Sequence, residues 1–268
     1  MSRRSFAIAS VLSVFALGIP LTACSNPLAD AHYDNAVEKY DEGDYEAAIK
    51  LLDSAIAISE KYEYYYNRGV ANLELENHEE ALKDFDKSID INPEFSSSYI
   101  NRALIRIQAN DADSAISDYT NAIKYNQESR KAYYNRGLLY FEQGSYQAAI
   151  EDYDKAIELD PSNVEIFNNR GNAKGALNLF EESIEDFSQA IQINPEFGLA
   201  YQNRGISKAF SGDMNGACID WNKAVELGIE LPEQVASIDC NWIRDKSLSL
   251  NWGIEELIKN PSAGWFVF

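Results

Sequence analysis

The sequence predicts an all-α fold: an α-solenoid of about six helix–turn–helix units, then a capping helix and a C-terminal tail. Three ladders in one 34-residue register predict it. The first is Asn-Arg-Gly at 67–69, 135–137, 169–171 and 203–205, with Asn101-Arg102-Ala103 filling the gap. The second is of small residues: Ala48, Ala81, Ala115, Ala149, Ser183 and Ala217. The third follows four residues later and is aromatic: Phe85, Tyr119, Tyr153, Phe187 and Trp221, with Leu52 in the first unit. Each unit of such an array contacts only its neighbours, so stability is a sum along the chain without one compact core.

Composition limits the function. The 268 residues hold 43 Asp+Glu against 23 Lys+Arg, a net charge of −20, with only two histidines and three cysteines. Nucleic-acid binding is disfavoured, because phosphate contacts need clustered Lys/Arg. With 46% apolar residues the chain is still that of a folded protein.

In chain order, residues 1–23 read as an export signal. Arg3 and Arg4 precede the uncharged stretch Phe6 to Pro20 and then Leu21-Thr22-Ala23-Cys24, a pattern too short and wrongly flanked for a membrane span. Leu21 to Cys24 resembles the bacterial lipobox, which implies acylation of the Cys24 thiol with diacylglycerol, several acyl chains including palmitate, and a lipid-anchored protein of the bacterial cell envelope. An ordinary cleaved signal with a chance cysteine is the other reading. Ser25 follows where an Asp would imply inner-membrane retention, so the resemblance implies the outer membrane, facing the periplasm, in a source with two membranes. Processing removes two arginines and no acid, leaving −22. Residues 24–28 are the lipidated terminus and a short tether, reaching roughly 14 Å beyond the cysteine.

Six units occupy 29–61, 62–95, 96–129, 130–163, 164–197 and 198–227. In each, two stretches of helical apolar spacing are separated by a stop and cap such as Glu42-Gly43-Asp44, Asn110-Asp111, Gln143-Gly144-Ser145 or Ser211-Gly212-Asp213. Units close with Asn92-Pro93, Asp160-Pro161 and Asn194-Pro195, where proline ends one helix and spaces the next. The fourth unit reads Tyr133-x2-Arg136-Gly137-x2-Tyr140, then Ala149-x3-Tyr153 and Pro161. This pattern resembles the tetratricopeptide repeat (TPR) family. The resemblance implies paired antiparallel helices wound into a right-handed superhelix, with the first helix of each unit lining a concave, protein-binding face.

Where the family places Leu before the small residue, five units have Arg68, Arg102, Arg136, Arg170 and Arg204. Sixteen residues later in each stands Asp84, Asp118, Asp152, Asp186 or Asp220. The common spacing predicts structural ion pairs within the solenoid, with direct ligand binding by the arginines as the alternative. Asn67, Asn101, Asn135, Asn169 and Asn203 precede those arginines. They resemble the asparagine ladder of the O-GlcNAc transferase superhelix, which grips an extended peptide backbone; a carboxamide both donates and accepts, so it pairs with a peptide group whatever the side chain. The alternative is bonding within the scaffold. Helical spacing flanks the ladder with Tyr66, Val70, Leu73, Ile100, Leu104, Ile107, Tyr134, Leu138 and Phe141, as either groove or interhelical core. The family's Lys/Arg clamp for acidic chaperone tails is approached only by Lys131. The expected partner is therefore a neutral-to-basic, apolar protein or peptide and no nucleic acid.

Pro232 to Cys240 reads as a capping helix within 228–240. Cys218 and Cys240 are equidistant from residue 229, so antiparallel helices would bring them level, and export permits a disulfide; two reduced core thiols are the alternative. The tail 241–268 carries Trp242, Trp252 and Trp265 and the run Trp265-Phe266-Val267-Phe268. It either packs over the end of the solenoid or docks elsewhere. No nucleophile–base set, metal cluster or phosphate-binding glycine motif accompanies His32 and His78, so no enzyme, cofactor or metal is expected. The resemblance implies a noncatalytic envelope adaptor; the alternative is a periplasmic chaperone, holdase or assembly factor for exported proteins.

Overall fold

The computed structural model describes residues 26–236, 238 and 240. The export signal, Cys24 and the tail 241–268 lie outside these residues. Twelve helices of 13–15 residues follow one another: α1 Pro27–Asp41, α2 Tyr45–Ile58, α3 Tyr62–Glu74, α4 His78–Ile91, α5 Ser96–Gln108, α6 Ala112–Tyr125, α7 Arg130–Glu142, α8 Tyr146–Leu159, α9 Val164–Ala176, α10 Phe180–Ile193, α11 Gly198–Phe210 and α12 Met214–Glu226. They pack in sequence order as six antiparallel pairs, and α9 also touches α7 and α11 in the adjoining units. This is an all-α solenoid of helix–turn–helix units. Within the expected capping segment, Pro232 to Cys240, the described residues hold α13 Glu233–Ala236 and a helical Cys240. The Val235 and Ala236 N–H groups both donate to the Pro232 carbonyl.

The turn inside each unit is set by one residue in the left-handed region. Gly43, Gly144 and Gly212 adopt it at no steric cost, and Asn110 and Asn178 at little; Glu76 (φ 59°) is pressed into the same turn by the register alone. The next residue or so caps the second helix. The Asp44, Asp111 and Asp213 carboxylates accept from the backbone N–H of Ala47, Ser114 and Gly216, satisfying donors that a helix start leaves open.

Each pair closes on a small residue facing an aromatic ring. Gly171 lies against Phe187 and Gly205 against Trp221 so closely that an added Cβ would sit 2.7 Å and 2.4 Å from the ring. The buried hydrophobic side chains among the described residues form six clusters strung along the solenoid, four of them holding a ring of this layer: Phe85, Tyr119, Tyr153, or Phe187 with Trp221. The tyrosine excess is thus partly packing material. Tyr153 is fully buried and its hydroxyl has no hydrogen-bond partner among the described residues. Burial raises its pKa well above the ordinary phenol range. The second and fifth units hold phenylalanine at this place, so Tyr153→Phe should raise stability by about 1 kcal/mol, removing an unsatisfied polar atom without opening a cavity. Chemical denaturation measures it, and a loss of stability would reveal a partner for the hydroxyl.

Candidate functional site

Two surfaces carry the polar ladders, and they have different roles. The arginines lie at the seams between units. Arg136 donates from Nε and Nη2 to the two carboxylate oxygens of Asp152 at 2.8 and 2.7 Å. The same fork joins Arg68 to Asp84, Arg102 to Asp118, Arg170 to Asp186 and Arg204 to Asp220. The five aspartates are buried and the arginines half-buried. The third guanidinium nitrogen, Nη1, reaches one unit back, to Asp53, Asp86, Thr120, Asp154 and Ser188 respectively. One arginine therefore ties three helices, two of its own unit and one of the unit before. An aromatic ring three residues earlier covers the guanidinium in every case, Tyr65, Tyr99, Tyr133, Phe167 and Tyr201, at 5.5–6.0 Å.

Electrostatics follow from that burial. Burial opposes the charge on Arg68 and Arg102, but Asp84 with Asp53, and Asp118 with Asp86, hold both guanidiniums above their usual range. Burial pushes the Asp84 and Asp152 carboxyls up, against the pull of Arg68 and Arg136. These groups serve the scaffold: their donors and acceptors are turned on one another. The acceptor one unit back was not anticipated, although Asp53, Asp86, Thr120, Asp154 and Ser188 keep the repeat register and were readable from it.

The asparagine ladder differs from the expectation of a peptide-gripping line. Asn101, Asn169 and Asn203 are buried, and their amides donate across the unit boundary to the Tyr66 hydroxyl, the Tyr134 hydroxyl and the Asn168 carbonyl oxygen. Asn67 donates to the Tyr33 hydroxyl and the Glu63 carbonyl, and Asn135 lies beside the buried Tyr119 hydroxyl. The physical reason is the register: the residue before an asparagine in one unit faces the asparagine of the next, and a tyrosine there supplies an acceptor at the right distance. Burial raises Tyr33 and Tyr134 to about 12, so both hydroxyls stay protonated at neutral pH.

The apolar stripe is less deeply buried than these ladders. Tyr66, Ile100, Leu104, Tyr134, Leu138 and Phe141 are half-buried on the first helices of units two to four, whereas Val70 is buried. Phe95 closes over Tyr66 edge-on at 4.9 Å. Lys131 stands at the start of the α7 face, where burial and Arg130 lower its pKa. In units five and six the equivalent positions are Asn168, Asn172 and Gln202, all buried. At the far end Cys218 and Cys240 form a disulfide, their Cα atoms 5.5 Å apart, joining α12 to the segment after α13. Among the described residues no cluster of His, Cys, Asp and Glu suits a metal ion, and no helix is long and apolar enough to cross a membrane.

Fold and ladders together define a helical-repeat solenoid of the kind that binds other proteins. The tetratricopeptide repeat profile matches residues 62–95 and 164–197, and the related TPR repeat profile matches 103–144 and 137–178. The chain is a tetratricopeptide repeat protein. Solved structures agree with the fold. YrrB, described as a TPR protein with an unusual peptide-binding site, superposes with a TM-score of 0.62 at 18% identity, over 66% of this chain and 91% of its own. A MamA protein gives 0.59 at 20% identity, over 71% and 97%. The C-terminal part of a TPR repeat-containing protein from Cytophaga hutchinsonii gives 0.63 at 19%, over 73% and 78%. No curated protein matches the sequence.

Proposed function

We propose that this protein is a noncatalytic scaffold of the bacterial cell envelope, anchored through lipidated Cys24, that holds extended apolar segments of a partner protein in its concave groove. The observation that carries the reading is the run of half-buried Tyr66, Ile100, Leu104, Tyr134, Leu138 and Phe141 on consecutive first helices, an apolar stripe in an otherwise acidic chain. The Tyr66 and Tyr134 hydroxyls are already held by Asn101 and Asn169, so a ligand meets these half-buried rings without the cost of ordering them. The net negative charge favours neutral-to-basic partners and repels acidic tails. The described peptide-binding site of YrrB, on a similar fold, supports a peptide-like ligand.

A photoreactive residue at Ile100, introduced in cells and followed by mass spectrometry of crosslinked species, tests the groove. One or two stoichiometric partners are expected; a broad set of exported chains would make the protein a holdase instead, and crosslinks to nothing would overturn the reading. Cys24→Ser should abolish labelling by a palmitate analogue and release the protein from membranes, and retention of the label would overturn the anchor.

A further inference from the structure

The turn inside unit five breaks a rule that the other five units keep. Their second helices begin on Asp44, Asn77, Asp111, Ser145 and Asp213, residues whose side chains are able to accept from the open N–H groups of a helix start. Helix α10 begins on Leu179, which cannot. Burial offsets the missing cap only in part, since Leu179 is 39% exposed and Leu177, on the other side of the turn residue Asn178, is 37% exposed. Positions that break a local rule without a full structural return are where function is to be sought. Next in the chain, Phe180 stacks on Phe210 at the end of α11, the two half-buried rings 5.1 Å apart between centroids. This apolar ridge is made from helix ends and the turn joining them, so it stands on the turn edge of the solenoid and not on the first-helix face that lines the groove.

We infer that this ridge is a second docking surface, separate from the groove, and that its occupant is a basic amphipathic helix of a partner protein. Charge selects the sign. Glu181 and Glu182 are exposed in the first turn of α10, directly after the ridge, and Asp213 is exposed just beyond Phe210. Every lysine and arginine of units five and six is already paired: Arg170 and Lys174 with Asp186, Arg204 and Lys208 with Asp220, and Lys223 with Glu226. An incoming apolar segment must therefore bring its own cations, as lysines or arginines flanking a leucine stripe do. Backbone selects the conformation. The Asn178 and Leu179 N–H groups donate to the Gly175 and Lys174 carbonyls within the turn itself, so an extended strand finds no ladder to join there, whereas a helix brings its hydrogen bonds with it. The same acidic rim disfavours a second copy of this acidic chain and an anionic lipid surface.

The full chain, with a photoreactive residue at Leu177, is mixed with a synthetic amphipathic helix of leucine and lysine and, separately, with its leucine and glutamate counterpart. A crosslink to the lysine-bearing helix alone is expected. Leu179→Asp is the test that charge by itself cannot pass. It adds a negative charge and restores a cap, so it should raise the denaturation midpoint and yet weaken binding of the lysine-bearing helix about tenfold, ~1.4 kcal/mol. Unchanged or tighter binding would mean attraction to an acidic surface without apolar docking, and a lowered midpoint would mean that Leu179 is placed for packing; either overturns the inference. Weakened binding in Leu138→Gln with none in Leu179→Asp would assign the helix to the groove, which sinks the second surface and leaves the groove reading standing. Without added helix, a product of dimer mass would place a second copy on the ridge, and one joining position 177 to residues outside units four to six would place the chain's own residues there; both outcomes also overturn it.

Discussion

Arg136→Leu should destabilise the fourth unit by about 3–5 kcal/mol, and Arg136→Leu combined with Asp152→Leu by distinctly less. Removing the guanidinium alone strands a carboxylate that is 4% exposed, whereas removing both partners leaves two apolar side chains in a seam already walled by Tyr133 and Tyr140. The fourth unit is the sharpest place to test this, because Asp152 has Arg136 as its one ion-pair partner among the described residues. In the third, fifth and sixth units a second cation shares the load, Arg106 on Asp118, Lys174 on Asp186 and Lys208 on Asp220, at 2.7–2.8 Å, and in the second unit the Asn72 amide donates to Asp84. In the fourth unit the position of that second cation is Tyr140. Arg170→Leu should therefore cost less than Arg136→Leu, since Lys174 still neutralises Asp186. Hydrogen exchange of α7 and α8 reads the local effect, and a double-mutant cycle in denaturant reads the coupling. Additive losses at 136 and 152 would show that the pair is not coupled. Equal losses for Arg136→Leu and Arg170→Leu would show that the second cation is idle.

Those same residues show what the sequence could and could not convey. Pairing between positions sixteen apart is visible as a repeated spacing because both members recur in five units, and so are the small-against-aromatic layers. The reach of Nη1 to the preceding unit was also written in the register, but its acceptors are Asp, Asp, Thr, Asp and Ser, and a ladder of mixed residue types is easily passed over. The asparagines were harder. A carboxamide repeated every 34 residues on a first helix is equally apt for a ligand backbone or for a tyrosine of the neighbouring unit, and only the distance across the seam decides. That distance depends on how adjacent units stack, which no single repeat encodes. The same holds toward the end of the solenoid, where Asn168, Asn172 and Gln202 are polar side chains on first helices and yet are buried. Local pattern fixes helices and turns; superhelical stacking determines which polar side chains remain for a partner.

Trp221→Ala should cost about 3–5 kcal/mol and confine the damage to the C-terminal end of the solenoid. The ring is 1% exposed and fills the last small-against-aromatic layer, in contact with the backbone of Gly205. It packs among Phe187, Ile206, Met214, Cys218 and Val235, and its indole Nε1 donates to the Gln202 carbonyl at 3.2 Å. Alanine removes the largest fully buried side chain among the described residues and leaves that carbonyl without the indole donor. The cavity cannot refill from the glycine side, where no side chain exists to move in. Phe187 belongs to the preceding layer and supports α10 as well, so collapse toward the hole would loosen a second unit. In a globule such a loss is shared by the entire core. In a solenoid the nearest-neighbour coupling limits it: α11, α12 and α13 should lose hydrogen-exchange protection, α9 and α10 partly, and α3 to α6 not at all. The disulfide between Cys218 and Cys240 does not protect against this, because it ties the cap to α12, a helix that loosens with it. If protection fell uniformly from α3 to α12, the repeats would be acting as one cooperative unit, and the additive account of this fold would have to be abandoned.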